Sequence, residues 1–125
     1  MINNLLLYVG SILIIVWGIA HIVPTQSVVA GYGSLSLDNK RILTMEWVAE
    51  GLALSFIGVL TLLVTLQSSP PNAVATLVYR VSAAMLVIMA GWTLVTGART
   101  RIVPIKICPF VKTTAALLLV LGTLF

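Results

Sequence analysis

Residues 5–22 read LLLYVGSILIIVWGIAHI, and this run decides the fold. It contains no Asp, Glu, Lys or Arg, and it approaches the roughly 20 apolar residues that a helix needs to cross a bilayer core of about 30 Å. His21 and Pro24 close it, because a proline lacks the N–H that would continue the helix. The segment before it has no basic n-region, so Met1–Ala20 reads as a retained first helix and not as a cleaved signal.

The pattern recurs three times. Beyond a polar, glycine-bearing connection from Thr25 to Asn39, a second apolar segment runs from about Arg41 to Leu66, and Asp38 is the expected cap for its free N–H groups. Gln67 to Asn72, with Pro70 and Pro71, makes a tight breaker, since each proline forces the residue before it out of the helical region. A third span covers about 77–97, and a fourth about 107–125 follows a basic connection holding Arg99, Arg101, Pro104 and Lys106. The 125 residues form a single domain, an all-α integral membrane four-helix bundle with no length left for a soluble domain.

Composition agrees. Hydrophobic residues make up 60% of the chain and charged residues 8%, against about 25% charged in ordinary soluble proteins. The net charge of +4 therefore reports membrane orientation, and no nucleic-acid partner is expected. Lys40, Arg41, Arg99, Arg101 and Lys106 share one side, with Lys112 close by, whereas the opposite side has only Arg80. Cytoplasmic loops carry the basic excess, which puts both termini outside. The one cysteine, Cys108, excludes an internal disulfide and makes no catalytic pattern.

Helices in lipid associate through small residues and a few polar contacts. Gly10 and Gly18 offer notches on the first helix, Gly51, Ser55 and Gly58 form a stripe on the second, and Ala83, Ala90 and Gly97 form one on the third. The same residues would serve packing within the bundle or a homo-oligomer face. Trp17, Trp47 and Tyr32 near one boundary, and Tyr8, Tyr79 and Phe125 near the other, fit aromatic belts.

An ionisable side chain at the centre of a membrane helix costs about 2.5–3.5 kcal/mol and so requires a partner or a function. Glu46 and Glu50 are four residues apart on one helical face, and His21 ends the first helix on the same side. These three could form a proton relay, a cap for a ligand head group or a metal site, but one histidine is a thin basis for a metal and no cofactor pattern is identifiable. The competing reading pairs Glu50 with Lys112, which neutralises both inside the membrane. Arg80 lies on the wrong side to do so.

The run Trp17-Gly18-Ile19-Ala20-His21, then Asn39-Lys40-Arg41-Ile42, then Met45-Glu46-Trp47-Val48-Ala49-Glu50-Gly51, resembles small four-span bacterial membrane proteins and, more distantly, the DoxX-like group. That resemblance covers the first half best. It implies a four-helix architecture and a bacterial inner-membrane location, and it transfers no catalytic residue.

The expectation is a bundle with a cytoplasm-facing polar pocket of His21, Glu46 and Glu50, bordered by Trp17, Trp47 and Tyr32. Besides membrane lipids, its partner would be a small amphiphile or another membrane protein. The alternatives are an enzyme using a Glu/His pair on a lipid-soluble substrate, or a purely structural or assembly subunit.

Overall fold

Five α-helices form the protein in the computed structural model, which describes residues 2–124: α1 (Ile2–Ile22), α2 (Thr25–Ala30), α3 (Leu37–Gln67), α4 (Ala73–Val95) and α5 (Val103–Leu121). A 3-10 turn, Gly97–Arg99, leads from α4 towards α5, and no strand occurs among the described residues. The four long helices are each long and apolar enough to cross a membrane, so the chain is an all-α membrane bundle of four spans.

Helix ends depart from the sequence expectation where caps and prolines decide them. The first connection is not wholly irregular, since Thr25–Ala30 forms the short α2 against α3. Helix α3 starts at Leu37 and not Arg41 because Ser36, rather than Asp38, is its cap: the Ser36 side chain accepts from the Asn39 N–H at 3.2 Å. Asp38 falls in the first turn, where its charge still faces unpaired N–H groups. Asn72 caps α4 through the Ala75 N–H at 2.8 Å and brings its start forward to Ala73. Helix α5 begins at Val103 and not Ile107 because Pro104 occupies its first turn, where no N–H is needed, and the helix continues through Pro109. Lys112 therefore stands midway along α5 and not near its end. Of the expected fourth span, Phe125 lies outside the described residues.

At 31 residues α3 is about 46 Å long, more than a bilayer core requires, and α2 packs against it. Along the rest of its length α3 lies on α1. Glycines set that separation: a Cβ on Gly18 would come within 2.7 Å of the Ser55 nitrogen and 2.8 Å of the Gly51 carbonyl oxygen. A Cβ on Gly58 would meet the Ser11 carbonyl oxygen at 2.8 Å. Backbone atoms cannot yield as side-chain tips do, so the small-residue stripes bring α1 and α3 together. Nearby, the Ser11 hydroxyl donates to Thr61 Oγ1 at 2.8 Å.

Helix α5 packs on α4 and α1, burying Ala115, Ala116 and Leu119 with Leu7 and Leu86. Helices α3 and α4 touch little despite the short hairpin between them. Near that hairpin Thr65 Oγ1 and the Tyr79 hydroxyl share a buried 2.8 Å hydrogen bond. Tyr79 is accordingly fully buried and is no belt anchor: its hydroxyl finds a partner inside the bundle and not at the interface. Gly97 lies past the end of α4 in the 3-10 turn, so it does not extend the Ala83 and Ala90 stripe. Outward faces carry large apolar side chains such as Ile12, Phe56, Ile88 and Phe110, which suit lipid tails.

Candidate functional site

Away from the hairpin, α3 and α4 part, and the space between them is a cavity of about 890 Å³. Its walls come from four helices, with Trp17, Ala20 and His21 of α1, Leu43, Ala49 and Glu50 of α3, Met89 and Thr93 of α4, and Ile105 and Cys108 of α5 among them. Tyr32 and Val28 approach from the first connection. The six residues singled out from sequence, Trp17, His21, Tyr32, Glu46, Trp47 and Glu50, all border this one space. Ile88 and Trp92 border it too while being exposed on the outer face of α4, so the cavity reaches the surface that lipid covers.

Each polar member is placed by its helix. The indole of Trp47 stacks on the His21 ring, with centroids 4.2 Å apart and planes inclined by 13°. Its N–H donates to the His21 carbonyl oxygen at 2.7 Å, one of the carbonyls that a helix end leaves unpaired. Across the cavity, the Trp17 N–H points to Cys108 Sγ at 3.3 Å, tying α1 to α5. Cys108 is buried within α5, and not at its first residue, and so serves as packing and hydrogen-bond acceptor.

Glu50 is the centre of the arrangement. Its Oε1 takes a hydrogen bond and ion pair from Lys112 Nζ, which also donates to Thr93 Oγ1 at 2.9 Å. Thus α3, α4 and α5 are joined by three polar side chains at the deep wall. Lys112 is fully buried, while the Glu50 side chain keeps 31% of its surface towards the cavity. The other carboxylate oxygen, Oε2, lies 3.6 Å from His21 Nε2, too far for a hydrogen bond. Nε2 is buried and has no hydrogen-bond partner among the described residues. Glu46, one turn towards the start of α3, is exposed and stands at the rim.

The Glu50–Lys112 pair and the His21, Glu46, Glu50 grouping are therefore not exclusive alternatives. One carboxylate oxygen serves the pair, and the other faces the imidazole. The expected pairing of Glu50 with Lys112 is present, although α5 starts earlier than expected and so sets the lysine at its middle. Thr93 was not singled out, its only signal being its helical spacing from Met89 in the third span. Among the described residues no group of three His, Cys, Asp or Glu side chains is arranged to hold a metal ion.

The arrangement can hold an apolar body against indole faces while offering a few polar atoms at one end. No family model, curated protein or solved structure matches the chain.

Proposed function

We propose that this membrane protein binds a small amphiphile, which reaches the cavity from the bilayer between α3 and α4. One observation carries the reading: a cavity of ligand size has aromatic walls and is bordered by His21, Glu50 and Thr93, with the fully buried Lys112 behind them. Binding sites for drug-sized molecules typically occupy about 300–1,000 Å³ and combine apolar walls with a few convergent polar groups. The unpaired imidazole nitrogen and the volume bordered by the same residues favour this reading over a cluster that only holds helices together. Trp17 and Trp47 would grip the apolar body and Glu46 would meet the outer end.

In this reading the basic end faces the cytoplasm, with both termini on the other side, in a bacterial inner membrane. The distant DoxX-like resemblance agrees with that location.

Native mass spectrometry of the protein extracted gently from its own membrane tests the proposal, alongside Ala49→Trp, which fills the cavity from its wall. A retained small molecule in the wild type, absent from the variant, is the expected result. Bare protein in both forms, with unchanged stability, would leave a structural or assembly role.

A further inference from the structure

The polar end of the cavity has an unusual requirement. His21 Nε2 faces Glu50 Oε2, and two lone pairs would repel at that position, so the imidazole hydrogen belongs on Nε2. The pair then presents one unused donor and one acceptor with spare capacity, 3.6 Å apart. The other carboxylate oxygen is occupied by Lys112, and those two charges already cancel.

Ligand head groups can be sorted against this requirement. A carboxylate would face Glu50 with like charge and would supply no donor. An ammonium supplies only donors, leaves the Nε2 hydrogen unpaired, and brings a second cation beside a fully buried lysine. A ketone or ester accepts from Nε2 but offers Oε2 nothing. A hydroxyl does both, because its oxygen accepts from the Nε2 hydrogen while its own hydrogen goes to Oε2.

We propose that the cavity selects an uncharged lipid alcohol, its hydroxyl bridging His21 Nε2 and Glu50 Oε2 and its apolar body lying against Trp17 and Trp47. This rests on the binding function proposed above. Nε2 is buried in this arrangement, so the bridging oxygen requires the Glu50 carboxylate to turn about its soft last torsion and admit it. The neutral head group leaves the charge balance of Glu50 and Lys112 undisturbed.

The protein carries its own reporter, since all three of its tryptophans, Trp17, Trp47 and Trp92, border the cavity. Trp92→Phe removes the one that also faces lipid. In phosphatidylcholine nanodiscs, this variant is titrated with 6-bromoundecanol, 6-bromoundecanoate and 6-bromoundecylammonium, each brominated in mid-chain, where the bound body lies against the indoles, to quench them on contact. The expected result is saturable quenching by the alcohol, reversed by unbrominated undecanol, at an apparent affinity at least tenfold better than either charged probe. Adding His21→Phe, which retains an aromatic ring against Trp47, should lower the alcohol's affinity about tenfold and leave the charged probes unchanged. A charged probe binding as tightly as the alcohol overturns the head-group assignment while leaving the binding function standing. Absence of saturable quenching by all three removes the binding function itself. The ranking of probes on the parent protein decides the matter even if the histidine variant does not fold.

Discussion

Removing one member of the Glu50–Lys112 pair should be far more damaging than removing both, and the two single losses should be unequal. In Glu50→Leu, a fully buried ammonium midway along α5 keeps only Thr93 Oγ1 as a partner. Orphaning one member of a buried ion pair costs about 3–5 kcal/mol, and every 1.4 kcal/mol is a tenfold change in an equilibrium. In Lys112→Met, the surviving carboxylate retains 31% exposure towards the cavity and has His21 3.6 Å away. Partial solvation reduces that loss to about 1–2 kcal/mol. The double variant has no charge left to bury and should lie within about 1 kcal/mol of the parent, as apolar replacements of buried pairs commonly do. Unfolding equilibria in mixed micelles, titrated with sodium dodecyl sulfate and followed by tryptophan fluorescence and circular dichroism, measure all four proteins. Equal single costs that simply add in the double variant would refute the coupling and make the close contact between the two side chains incidental.

Other consequences are open to the same or simpler measurements. Gly18→Ala drives a methyl against the backbone of α3 and should cost about 1–3 kcal/mol, whereas Gly91→Ala, with nothing within 4 Å of the added carbon, should be neutral or stabilising by up to about 1 kcal/mol. A double-mutant cycle on Tyr79→Phe and Thr65→Val should give a coupling of about 0.6 kcal/mol, with about 1.7 as the upper bound for hydrogen bonds between membrane helices; a value near zero would mean the 2.8 Å contact contributes nothing. Buried Cys108 should resist membrane-permeant maleimide in the folded protein, and rapid labelling would contradict its packing against Trp17. With Cys108 changed to Ala, Lys106→Cys should react with an impermeant maleimide only in inverted vesicles, and reaction in whole cells would reverse the proposed orientation.

Hydropathy made the spans legible because each helix must be apolar over its whole circumference in lipid, and two adjacent prolines marked the α3–α4 hairpin without ambiguity. Of the six residues that border the cavity, His21, Glu46 and Glu50 stood out for a related reason, since an acid or an imidazole in an apolar run is conspicuous against its cost. Prolines were less informative at α5. Pro104 reads as a breaker, yet in a first turn its missing N–H removes nothing, and the error displaced Lys112 from the middle of the helix to its edge. Tyr79 was misplaced because an aromatic near a helix start looks the same in sequence whether its hydroxyl turns to the interface or to Thr65. The cavity was legible only as a meeting of residues. Its volume follows from the divergence of α3 and α4, a property of helix crossing that no single span records.

The lysine at the middle of α5 also bears on how the chain is made. Membrane helices are delivered in order of synthesis, and α5, the least apolar of the four spans, is the last to leave the ribosome. Alone in lipid its Lys112 would weigh against insertion. By then α3 has already been delivered and holds Glu50 in place, so the earlier helix acts as an acidic receptor for the later one. Helix α5 packs chiefly on α4 and α1, which precede it as well, so the lysine enters among helices already delivered.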